Sequence, residues 1–149
     1  MSRCTVIRSP SELQAGDHIS WPTQAASGML QHHATVVAAR GGSKFKVIHA
    51  TGNNGPGKVR YSVREDIIDL GPEIRNAKLL RYNHAPGECY EPAEVIKNGR
   101  SKLGKFDYDE YENNCEHFAQ WCKTGKKESV QAKTIKAAID ANAAAFRDL

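Results

Sequence analysis

The chain has 149 residues, 40% hydrophobic and 26% charged, the make-up of one globular domain able to bury a core. No run of 18 apolar residues occurs, and the opening MSRCTVIRSPSELQ carries charges where a secretory leader needs an apolar stretch, so neither a spanning helix nor export is expected. The net charge of +4 would help contact with anionic lipid or RNA but selects neither, and the four cysteines of a non-secreted chain read as free thiols in the cytoplasm.

Strands come first along the chain. GDHISW (Gly16 to Trp21) is a turn running into a strand, and HHATVVAA (His32 to Ala39) is a β-branched run ending at Gly41 and Gly42. KFKVIHA (Lys44 to Ala50) then alternates charged and apolar residues, so the two runs predict a β-hairpin. TGNNGPG (Thr51 to Gly57) reads as a loop. In KVRYSVR, Val59, Tyr61 and Val63 fall on one face at period two, and KLLRY (Lys78 to Tyr82) suits a further strand.

Helices follow. Pro92 fits a first helical position ahead of AEVIKNGRSKL, within which Gly99 weakens the pattern. NNCEHFAQWCKTG (Asn113 to Gly125) offers an asparagine cap, two to three turns, and a glycine stop. SVQAKTIKAAIDANAAAFRDL spaces Ile135, Ile139, Phe146 and Leu149 for a docked amphipathic helix from about 129 to 149. Strands followed by helices predict an α+β fold over a single domain, residues 1–149, with an antiparallel sheet packed against helices.

Chemistry concentrates at Cys115. In a first helical turn its sulfur would face unpaired N–H groups and the positive end of the helix dipole, which lowers a thiol pKa and makes it reactive below pH 8. Phe118, Ala119 and Cys122 lie three, four and seven residues on, so one face of that helix is expected to be buried. Three readings compete: a buried structural thiol, a metal ligand and a nucleophile. A metal site could recruit Cys115, His117, Cys122, Cys89 or His84, but their spacings fit none of the usual zinc patterns.

A nucleophile needs histidines from elsewhere in the chain, and the hairpin supplies them. A turn at Gly41 and Gly42 brings residues summing to about 82 opposite each other, so His32 and His49 meet near its open end. One imidazole can take the thiol proton while the second orients the first. His33 points to the opposite face from His32, and His18, His84 and His117 read as surface or structural histidines.

These blocks resemble the lecithin:retinol acyltransferase family, which includes the H-Ras-like suppressor phospholipase/acyltransferases and looks like a circular permutation of the papain/NlpC-like thiol fold. GDHI (Gly16 to Ile19), HHATVV at His32 with VIHATG (Val47 to Gly52), and NCEHF (Asn114 to Phe118) carry the resemblance, from Gly16 to about Lys126. It implies a catalytic Cys115 at a helix N-terminus, with His32 as general base and His49 as the third member of the triad. His32 is chosen over His33 because it stands two places before the small residue Ala34. The implied reaction is acyl transfer from a glycerophospholipid ester through a thioester, as acyltransferase or phospholipase, without metal or diffusible cofactor. Membrane-attached members end in a hydrophobic helix, whereas this chain ends in a polar-faced one, so any membrane contact is expected to be peripheral. The same motifs occur in small picornavirus proteins, which suggests as an alternative a non-enzymatic module. Its basic clusters at Lys97 to Lys105 and Lys123 to Lys127 would bind RNA or a host protein. A thiol peptidase or amidase is a further alternative, since the same triad serves peptide bonds.

Overall fold

The computed structural model describes residues 4–25, 28–55, 58–104 and 115–126. The expected Asn113 and Asn114 cap and the expected helix over 129–149 lie outside the described residues, as do the side chains of Val59 and Tyr61.

The hairpin around Gly41 and Gly42 organises the sheet. Strand β3 (Gly28–Ala39) turns into β4 (Lys44–Gly55) with both glycines at positive φ, 99° and 57°, and the Arg40 N–H donates to the Lys44 carbonyl. β2 (His18–Ala25) pairs with the other edge of β3, and β5 (Lys58–Asp69) pairs with β4. Two short strands, β1 (Cys4–Val6) and β6 (Leu80–Tyr82), complete an antiparallel sheet in the order β1-β6-β2-β3-β4-β5. Among the described residues three α-helices accompany it: α1 (Gly71–Arg75), α2 (Pro92–Arg100) and α3 (Cys115–Thr124). The class is α+β.

The Thr51 to Gly57 loop is corrected. β4 continues through Gly55 and β5 starts at Lys58, paired from Thr51↔Ser62 to Gly55↔Lys58. Cross-strand bonding satisfies the backbone of this Gly- and Asn-rich stretch, and that outweighs its poor strand propensity. β2 also runs past its expected end, through Pro22. Among the described residues β6 pairs with β2 at Ile19 and Ser20, so Pro22 lies beyond that ladder and its missing N–H removes no bond from it.

Side-chain alternation divides the core into two layers. Ile19, Ala34, Val36, Phe45 and Val47 face one side, closed by Ile7, Leu13, Leu70, Ile74 and Leu79. Val37, Ile48, Ala50 and Val63 face the other, beneath Val95 of α2 and Cys115, Phe118 and Cys122 of α3. Gly99 explains itself here: a Cβ would stand 3.1 Å from Cδ1 of Ile48, so the missing side chain lets α2 lie close on the sheet. α3 is held to its surroundings by polar ties. Asn98 Nδ2 donates to the Cys122 carbonyl, and Lys123 Nζ donates to the Gly16 carbonyl at 2.9 Å. Gly125, at φ 79°, donates its N–H to the Trp121 carbonyl at the helix end.

Candidate active site

β3 pairs with β4 only from Thr35↔Ile48 to Ala39↔Phe45, whereas its outer half, Gly28 to Ala34, pairs with β2. Cys115, the first described residue of α3, sits beside that outer half. Its thiol donates to the Gln31 carbonyl at 3.7 Å, and the His33 main-chain N–H also faces the sulfur. These two groups flank His32, so α3 brings the thiol against the main chain on either side of the expected base.

His32 and His49 meet as the hairpin register requires. Thr35↔Ile48 puts His49 opposite Ala34, and His32 stands diagonally from it on the same face. His32 Nε2 and His49 Nδ1 are 2.8 Å apart, and Trp21 packs edge-on against His32. The relay has one further member. His49 Nε2 lies 2.8 Å from Oδ2 of Asp66 on β5, whose other oxygen accepts from Arg64 Nη2 at 3.3 Å. Asp66 escaped the sequence reading. It becomes legible only with the β4–β5 register, in which residue 64 stands opposite residue 49 and residue 66 shares its face.

Cys115 and His32 reach the site from different sides of the sheet. His32, His49 and Asp66 share the face of Val47 and Ala34, whereas Cys115 packs in the layer with Val37 and Ile48. The sulfur meets β3 at its main chain, through the Gln31 carbonyl and the His33 N–H.

The face beneath α3 carries a second imidazole chain. His33 Nδ1 is 2.8 Å from His18 Nε2, and His18 Nδ1 is 3.3 Å from His84 Nε2. Tyr82 stacks on His18 at 4.3 Å, and His33 Nε2 lies 4.0 Å from Oε2 of Glu116. His18 is thus a buried member of a network and not a surface residue, and His117 is buried too. The side chain of His84 lines a polar cavity of about 370 Å³ together with Asn83, Gln120 and Lys126. Ser20↔His33 pairing puts His18 two residues along the same face.

The electrostatics correct one expectation. Burial pushes the Cys115 thiol up to about 11, the His33 N–H only partly offsetting it, and the neighbouring Glu116 carboxylate raises it further. Helix position does not win here, because the side chain is 6% exposed and its charge would lie in low dielectric. Burial, with the nearby His49 as a smaller contribution, pushes His32 down to about 3, so its ring is neutral at physiological pH. His49 is lowered by burial and by Arg64, against the opposing pull of Asp66. A neutral thiol can attack only if its proton leaves as the new bond forms.

The family model described as Lecithin retinol acyltransferase matches residues 11–128. A search of curated proteins found no match to the chain.

Proposed function

The chain belongs to the lecithin retinol acyltransferase family, and from that premise we propose that it is a cysteine acyltransferase or phospholipase acting on glycerophospholipid esters. Acyltransferase-type chemistry follows from the family. The observation that supports the finer reading is the 2.8 Å bond from His32 Nε2 to His49 Nδ1, with the Cys115 thiol bracketed by the groups flanking His32. That bond leaves His32 Nδ1 as the ring nitrogen outside the relay.

In the proposed reaction Cys115 Sγ attacks the ester carbonyl while its proton passes to His32 Nδ1. The tetrahedral intermediate collapses, the C–O bond breaks, and the leaving alkoxide takes that proton from His32. Cys115 then carries the acyl group as a thioester. Water, an amine or an alcohol attacks it with His32 again accepting the proton, and the thiol is released protonated. Protein groups suffice for every step. His49 holds the His32 ring and shares its charge.

A second reading has its own observation. A thiol 6% exposed with its pKa near 11 also describes a buried structural cysteine in a non-enzymatic module. Hydrolysis of a short-chain phosphatidylcholine by the full chain, Cys115→Ala and His32→Ala separates the two. Acyl chemistry predicts turnover by the parent, none by Cys115→Ala and a deep loss in His32→Ala. Equal rates in all three, or none in the parent, would favour the module.

A further inference from the structure

Building on the acyl-transfer reading of Cys115 and His32, we infer that Asp66 is a positioning residue that fixes the tautomers of both relay histidines and leaves His32 Nδ1 as the base. A carboxylate can only accept hydrogen bonds. The 2.8 Å contact with Asp66 Oδ2 therefore places the ring proton of neutral His49 on Nε2. His49 Nδ1 then carries a lone pair, and it can accept only from His32 Nε2–H across the 2.8 Å between them. His32 Nδ1 is left unprotonated, the state in which a general base must wait. Each assignment follows from the one before, and the whole chain of assignments starts at the carboxylate.

The same carboxylate acts on the charge. When His32 takes a proton at Nδ1, its Nε2 proton can move to His49 Nδ1, placing the positive charge next to Asp66. Among the described residues, the groups facing His49 are His32 from β3, and Arg64 and Asp66 from β5. Arg64 opposes protonation of His49, and it also binds the second oxygen of Asp66, which holds the carboxylate in line. Among the described residues, a positive charge on the relay is therefore matched by Asp66, on a strand that contributes no other member to the relay.

The test is long-range 15N–1H correlation of the histidine rings in the full-length parent protein, repeated in Asp66→Asn and Asp66→Glu. Nε2–H on both His49 and His32 in the parent is the expected result. Asp66→Asn should mix the tautomers, because an amide can donate as well as accept, and should lower the pKa of His49. Asp66→Glu should recover the parental pattern. Where turnover is measured, Asp66→Asn should lower kcat about tenfold or more with KM little changed, as expected when an orienting carboxylate becomes an amide. The acid limb of its pH profile should move to lower pH, since the relay loses its negative partner. An Nδ1–H tautomer on His49 in the parent would overturn the proposal. So would an Asp66→Asn protein with parental tautomers and an unmoved acid limb. The ring measurement needs no turnover, so a parent lacking activity would count against acyl transfer and leave the tautomer assignment readable.

Discussion

At Cys115 two opposing effects act on one sulfur. A helix start favours thiolate by about a kcal/mol, whereas removing a charge from water costs several. Burial wins, and with the thiol near 11 only about one molecule in 10⁴ holds thiolate at pH 7. Alkylation of Cys115 by iodoacetamide should then be slower than that of the half-buried Cys4 and Cys89, and should still be rising at pH 10. A plateau below pH 8 in peptide mapping would show an activated thiolate instead. Substitutions at the histidines separate chemistry from packing. His32→Ala should lose about 10²–10⁴-fold in rate, the usual worth of a general base. His49→Gln should cost less, because an amide still orients the ring. His33→Ala should keep its rate per folded molecule but lose about 1–3 kcal/mol of stability, because it leaves the buried His18 without its 2.8 Å partner. A dead His33→Ala beside an active His32→Ala would move the base to the α3 face. The meeting of His32 with His49 was legible in the sequence, because hairpin register is simple arithmetic once the turn is found. The pKa of Cys115 was not, because burial depends on what α3 packs against.

Among the elements, α3 and the β3–β4 hairpin were readable from periodicity and glycine placement. The burial of Phe118, Ala119 and Cys122 follows from their spacing, and Gly125 ends the helix as expected. The long β4–β5 ladder was not readable, since Asn and Gly argue locally for a turn and only the partner strand overrides them. α1 was missed for a related reason: five residues are too few to show a period. α2 was expected despite Gly99, and the structure turns that weakness into a contact with Ile48. Gly99→Leu should therefore force α2 away from the sheet and cost about 1–3 kcal/mol, the usual range for overpacking. Urea melts would show it as a lower midpoint. An unchanged or higher midpoint would mean that α2 has room to spare and that its helical propensity dominates.

For the whole molecule, buried imidazoles couple stability to pH. Burial pushes His32 and His33 down to about 3, and His18 well below its usual range. Folded, these rings bind fewer protons than the unfolded chain does at about 6.5. Their stabilisation is thus complete above pH 6.5 and is lost as pH falls toward 3. Each ring contributes a slope of about 1.4 kcal/mol per pH unit across that window. Urea midpoints should accordingly drop steeply from pH 6.5 to 4.5, and a flat profile would mean these rings are solvated. Among the described residues no helix is long and apolar enough to cross a membrane. The catalytic account of the molecule rests on one covalent event, which intact mass can show. The full chain, mixed with a short-chain phosphatidylcholine and quenched in acid, should gain the mass of one acyl group. That mass should map to the peptide bearing Cys115, disappear with neutral hydroxylamine, and be absent from Cys115→Ala. An acyl mass on another residue, or retained in Cys115→Ala, would contradict the account.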